Sequence, residues 1–265
     1  PDSPHGKAVK DLCAGWLNHV EYVPYTAKRS TSNRNLIFER ASGKYTISMD
    51  CHVIFPPGSI DALIKHYAKT DNCQHLVQGP MLYDNLEGMA THFKPTWGGD
   101  MYGQWDFDKE NYNKQEPFKI PMQGLGVFSC QTKNWLGFNK KFRGFGGEEG
   151  YIHEKFRKHG DGAICLPQFK WLHRFARPNG VKYPLSLEDR VWNYFIGWFE
   201  IKEKATDPFI QEIYSNFSKR IPHKIDEIVK TAYKRSFKKD ITDQELEYLR
   251  SPANDSEKKE TENVT

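Results

Sequence analysis

Apolar positions recur at helical spacing in several stretches of the chain and gather into short apolar runs between them. In residues 59–69, Ile60, Leu63, Ile64 and Tyr67 share one face, which predicts a helix from Ser59 to Lys69. The stretch STSNRNLIFERAS, residues 30–42, predicts another, capped by Ser or Thr and stopped by Gly43. Glu148 to His159 predicts a third, closing at Gly160. Strand-like runs lie between them: Lys44 to Met49 with β-branched Thr46 and Ile47, His75 to Gln78, Val127 to Cys130, and Ala163 to Leu166 before Pro167. This alternation predicts an α/β sandwich with a largely parallel central sheet. Asp50 falls at the carboxyl end of the first strand, where ligands of such sheets bind.

Residues 84–121 break the pattern, being rich in Gly, Trp, Asp, Asn and Pro with little periodicity. Long loops inside compact domains are usually functional, so this region is expected to form acceptor-facing loops. Within it, Trp97-Gly98-Gly99-Asp100 is read as a simple turn, with a place in the acceptor loop as the alternative. From about Leu187 the pattern turns helical, and Ile221, Ile225, Ile228, Val229 and Ala232 form an apolar stripe. Lys219, Arg220, Lys224, Lys230, Lys234, Arg235, Lys238 and Lys239 surround it, a run more often solvated than partner-binding. Trp192, Tyr194, Phe195, Trp198 and Phe199 are expected to bury these helices against the rest. Residues 251–265 lack apolar content and are expected to be disordered. The expected organisation is thus 1–184, 185–250 as a helical extension, and 251–265 as a tail.

A chain of 265 residues can bury a substantial core, and seven Trp, 13 Tyr and 17 Phe argue for a compact fold. A net charge of +4 is too small by itself to argue for nucleic acid. Five cysteines, an odd number without a Cys-x-x-Cys pair, favour reduced thiols and a cytoplasmic setting. Cys51 and Cys165 are expected to pack as small hydrophobes. No apolar run reaches the length of a membrane span.

Two fragments carry candidate chemistry. Gly144-Phe145-Gly146-Gly147-Glu148-Glu149 runs from close-set glycines into adjacent acids at a helix start. Glycines permit sharp turns and close ligand approach, and two carboxylates together are costly unless a cation, a substrate or a proton-transfer role offsets their repulsion. The bland reading is a helix N-terminus whose acids complement the dipole. Asp50-Cys51-His52 places a carboxylate and an imidazole two residues apart, able to meet on one ion if the backbone turns; read alone, it is a structural Asp beside an incidental His. His153 and His159 are read as core or solvated histidines rather than ligands.

The order of fragments is more specific than any one of them. Arg34-Asn35 in a helix, Gly43-Lys44-Tyr45 into a strand, Asp50-x-His52 at its end, the Gly-Gly-Glu-Glu turn and Trp171-Leu172-His173-Arg174-Phe175 follow in sequence. This order resembles family 2-type glycosyltransferases of the GT-A fold, and the Asp-x-His triplet is similar to that of polypeptide N-acetylgalactosaminyltransferases. The resemblance spans roughly residues 1–180. It implies an α/β GT-A fold with a mostly parallel central sheet flanked by helices. It implies that Asp50, His52 and His173 hold a divalent metal on the diphosphate of a nucleotide sugar, a UDP-sugar above others. Imidazole with carboxylate suits Mn²⁺, with Mg²⁺ as the alternative. Donor contacts would come from Asp2, Arg34, Asp50, Gly146, Gly147 and Arg174, with Arg177 and Lys182 as further cations. Pro1 to Gly6 is similar to the loop after the second strand of such folds. The resemblance gives Glu149 the place of the general base and Glu148 a hydrogen-bonding role toward donor or acceptor. The acid pair points to inversion and Asp-x-His to retention, with inversion favoured. Set against that resemblance, the first strand of the fold is expected to be missing from this chain. The alternatives are transfer to modified DNA bases, suggested by the basic C-terminal helix, and a non-catalytic nucleotide- or carbohydrate-binding module of the same fold.

Overall fold

The computed structural model describes residues 4–15, 20–25, 30–176, 180 and 184–252. Helix α1 (Pro4–Ala14) opens the described chain, so Pro4 to Gly6 are helical rather than a loop. A 3₁₀ turn at Thr31–Arg34, capped by Ser30, leads into α2 (Asn35–Arg40), and β1 (Tyr45–Met49) follows. After β2 (Val53–Ile54), α3 (Ser59–Lys69) starts behind Gly58 and buries Leu63 and Tyr67. Then come β3 (Leu76–Gln78), β4 (Met81–Tyr83), β5 (Met89–Ala90), β6 (His92–Gly98) and β7 (Met101–Asp106). Helix α4 (Lys109–Asn113), β8 (Phe118–Ile120), β9 (Val127–Gln131), α5 (Glu148–His159), β10 (Ala163–Cys165) and β11 (Trp171–His173) complete the α/β part. Four helices close the described chain: α6 (Leu187–Lys202), α7 (Pro208–Ser218), α8 (Ile225–Phe237) and α9 (Asp243–Arg250).

The main sheet runs β1-β9-β3-β10-β8. Strands β1, β3 and β10 point the same way, but β8 and β9 oppose them, so only β3–β10 is a parallel pairing. The mostly parallel sheet of the sequence reading is therefore a mixed one. Strand β9 is buried at all five positions and so reads like a parallel strand, yet it pairs antiparallel on both sides. Burial pattern records how many faces are covered; the sense of pairing is set by where the chain re-enters the sheet. A second sheet, β2-β11-β4-β5, is short and also mixed.

Residues 84–121, expected as loops, hold much of the remaining β-structure. Strands β6 and β7 form an antiparallel hairpin with an irregularity between Lys94 and Trp97, at Pro95. Proline and glycine hid this hairpin, because neither belongs to a regular strand pattern. Trp97-Gly98-Gly99-Asp100 is its tip, where Gly99 adopts φ +68°.

The C-terminal helices share one hydrophobic cluster with the sheet: Phe128, Phe142 and Tyr151 pack in it with Trp192, Phe195, Phe199 and Tyr233. All five aromatic residues expected to bury α6 are buried. Burial of each such side chain contributes about 1.5–3 kcal/mol, so α6 is held firmly where it meets the glycine turn. Helix α8 buries Ile225, Val229, Ala232 and Tyr233 of the expected stripe region and leaves its lysines outside.

Candidate functional site

Backbone pairing builds the first half of the site. The Asp50 N–H donates to the Gly126 carbonyl at 2.9 Å at the end of β1. The chain then turns, with the Val53 N–H donating back to the Asp50 carbonyl at 3.2 Å. Strand β2 pairs with β11 so that Val53 faces His173, and the Arg174 N–H donates to the His52 carbonyl at 3.2 Å. This register sets His52 beside His173 although 121 residues separate them. Their Nε2 atoms lie 2.9 Å apart, with the rings nearly perpendicular, and Asp50 Oδ2 lies 3.7 Å from His52 Nε2. One ligand atom from each of Asp50, His52 and His173 falls within 4.8 Å of the others. Two imidazole nitrogens this close share one proton between them or turn both lone pairs to a cation; two protonated rings would repel. An oxygen and two nitrogens suit a borderline ion such as Mn²⁺ better than Mg²⁺.

Gly126 is part of this construction. A Cβ there would stand 2.8 Å from the Trp171 ring and 3.2 Å from His173 Cδ2. The same residue supplies the carbonyl that holds Asp50, so it fixes two of the three candidate ligands. Cys51, expected to pack inside, is exposed, because a tight turn between two inward ligands leaves the middle side chain facing out. All five cysteines are free thiols.

The acid pair forms the second half. Gly144, Gly146 and Gly147 take φ of +44°, +100° and +87°, and α5 begins at Glu148. Glu148 is 1% exposed, and its Oε2 is buried with no hydrogen-bond partner among the described residues. Burial first, and then the charge of Glu149, push its carboxyl well above the usual carboxylate range, while the Arg34 guanidinium opposes the rise. Burial also raises Glu149, against the pull of its helix-start amide, Arg34 and Arg190. Arg34 joins the halves: one guanidinium nitrogen is 3.0 Å from Asp50 Oδ1 and another 3.8 Å from Glu148 Oε1.

Helix α6 supplies what the sequence reading missed. Asn193 accepts from the Arg143 N–H at 2.7 Å and donates to the Arg143 and Gly146 carbonyls, clamping the glycine turn. Arg190 lies so close to Gly146 that a Cβ there would collide with its Nε, and it pairs with Asp100 at the hairpin tip. No local signal marks Arg190, since an arginine in the first turns of a helix is ordinary. Arg174 has an exposed side chain next to His173. Asp2, Arg177 and Lys182 lie outside the described residues. His153 is fully buried and His159 exposed, matching the bland reading of both.

No family model matches the chain, and no curated protein matches it in sequence. Among solved structures it is similar to the crystal structure of GalNAc-T7 with UDP, GalNAc and Mn²⁺, at TM-score 0.61 and 15% identity. The likeness covers 89% of this chain and 47% of the other, so the chain spans about half the length of that neighbour. Among the described residues no helix is long and apolar enough to cross a membrane. At this identity the likeness speaks to architecture: the chain has the α/β fold of GT-A glycosyltransferases.

Proposed function

We propose that this protein transfers a sugar from a nucleotide-sugar donor to a hydroxyl acceptor, using a divalent ion held by Asp50, His52 and His173. The observation that carries the reading is Arg34, which touches both Asp50 and Glu148 and so makes the ligand triplet and the acid pair one site. The fold it shares with a protein solved with UDP, GalNAc and Mn²⁺ supports a UDP-sugar donor, hexosyl or N-acetylhexosaminyl, and Mn²⁺ as the ion.

When bound, the ion supplies Lewis-acid neutralisation of the charge that builds on the departing diphosphate. The protein's own residues do the rest. Arg174, exposed beside His173, would contact the diphosphate, and the left-handed backbone at Gly146 and Gly147 would allow close approach of the sugar. Glu149 takes the acceptor hydroxyl proton as the oxygen forms its bond to the anomeric carbon and the bond to the diphosphate breaks. Glu148, held toward its protonated form by burial, can donate a hydrogen bond as well as accept one. Attack opposite the leaving group inverts the anomeric centre.

Thermal unfolding with UDP and Mn²⁺ tests the site. At about 100 times its Kd the nucleotide should stabilise the wild type by about 2.7 kcal/mol in the presence of Mn²⁺. Asp50→Asn should lose this response and keep the unliganded melting temperature. Undiminished Mn²⁺-dependent stabilisation in that variant would rule the ligand assignment out.

A further inference from the structure

We infer that the outer surface of the segment from Lys219 to Lys239 binds the phosphodiester backbone of a nucleic acid alongside the candidate site. Residues 219–239 hold eight Lys and Arg against two acids, a net of +6, whereas the whole chain carries only +4. The rest of the chain is therefore −2, and the positive charge of the protein is concentrated here. Every one of the eight cations is exposed. One of the two acids, Asp226, is engaged by the Arg250 guanidinium and the Tyr214 hydroxyl, which leaves less negative charge to oppose the cations.

The fold fixes which way these charges face. Ile225, Val229, Ala232 and Tyr233 lock one side of α8 into the core. Lys230 and Lys234 then project from another side four residues apart, about 6 Å of helix rise, and Lys238 caps the helix just beyond them, in reach of one phosphate chain. Two surface ion pairs, Lys224 with Glu188 and Lys234 with Asp240, lie in the patch. Exposed pairs of this kind are worth about 0–1 kcal/mol, so phosphates can displace the carboxylates at little cost.

The patch also leads to the site. A Cβ on Gly99 would stand 3.4 Å from an Arg220 guanidinium nitrogen, and Asn216 donates to the Gly99 carbonyl at 3.1 Å. Gly99 adjoins Asp100, which pairs with Arg190 against the glycine turn that bears Glu148 and Glu149. A strand held on α8 and the turn before it thus starts at the rim of the acid pair. No large hydrophobic side chain between residues 219 and 239 is exposed, whereas helices that lie in a membrane interface present an apolar face. The chemistry fits a phosphate polymer in water better than a lipid surface.

The test is fluorescence anisotropy of the full chain with a labelled 20-base-pair duplex and a 20-nucleotide single strand, without nucleotide sugar or metal, so its outcome stands apart from the transferase reading. The joint variant Lys219→Gln, Arg220→Gln, Lys230→Gln, Lys234→Gln is compared with Lys65→Gln, Lys69→Gln, Lys133→Gln, Lys140→Gln, four exposed lysines elsewhere. With about four phosphates engaged, wild-type affinity for the duplex should fall roughly 10²-fold between 50 and 200 mM salt. The patch variant should bind about 10-fold weaker or less tightly still at 50 mM salt, with a shallower salt slope, and the control variant should match the wild type. Equal losses in both variants, no binding to either DNA at 50 mM salt, or binding to phosphatidylserine vesicles in place of DNA would each overturn the inference.

Discussion

Glu148 and Glu149 are neighbours in sequence with different surroundings. The first is sealed behind the glycine turn against Arg34, and the second retains some exposure beside it. That difference suits two roles, a proton acceptor open to the incoming hydroxyl and a buried partner that orients. Glu149→Gln should therefore cut transfer about 10²–10⁴-fold, the usual worth of positioned proton transfer, with donor affinity little changed. Single-turnover rates and the anomeric configuration of the product check this together. A retained centre, or near-normal turnover, would leave Glu149 as an orienting acid. Neither residue's environment was readable beforehand: the sequence supplied two adjacent acids after glycines, and the tertiary contacts of Arg34 and α6 separated them.

At the scale of elements, the site depends on two close approaches. The register of β2 with β11 delivers His173 to His52, and Gly126 leaves room for the His173 ring. Gly126→Ala should displace that ring, since its Cβ would fall at 2.8 Å from Trp171, which is rigidly packed and 0% exposed. The expected result is an at least 10-fold weaker Mn²⁺ affinity by titration calorimetry, with circular dichroism still native. Unaltered Mn²⁺ affinity would show that the neighbouring rings move aside freely. The helices α3 and α5 match their sequence expectation at both ends, because apolar periodicity and the glycines that bound them, Gly58 before α3 and Gly147 and Gly160 around α5, are local signals. The β6–β7 hairpin had no such local signal. Its identity comes from pairing on either side of Gly99 and Asp100, supported by docking on α6 and α7, which lie about a hundred residues away in sequence.

For the molecule as a whole, His153 ties the sheet to α5. It is fully buried, its Nδ1 donates to the Glu149 carbonyl at 2.7 Å, and its Nε2 accepts from the Gln123 N–H at 3.2 Å and lies 2.6 Å from Gln78 Oε1. Burial lowers its pKa to about 3 from an ordinary 6.5. The unfolded chain therefore binds a proton that the folded protein refuses between those values. The stability that a neutral His153 contributes is complete above about pH 6.5 and is lost as pH falls toward 3, by up to ~1.4 kcal/mol per pH unit. Glu148 acts in the opposite sense, since its raised pKa makes the folded state bind the extra proton as pH falls. Comparing His153→Gln with wild type by urea unfolding at pH 7, 6 and 5 isolates the histidine. The wild type should lose stability more steeply by nearly one proton, and parallel slopes would refute the assignment.

By itself the sequence determined the local elements, the helical character of the C-terminal region and the identities of the residues that meet at Asp50. It determined them because caps, apolar periodicity and short motifs act over a few residues. The tertiary structure alone decided the mixed sense of the main sheet, the conversion of residues 92–106 into a hairpin, and the arrival of Arg190 and Asn193 at the glycine turn. It also decided that His52 and His173 stand 2.9 Å apart and that Arg34 reaches Asp50 and Glu148 at once. Apart from the hairpin's own short-range pairs, these are contacts between residues 16 to 121 positions apart, fixed by strand register and core packing rather than by any signal within a few residues.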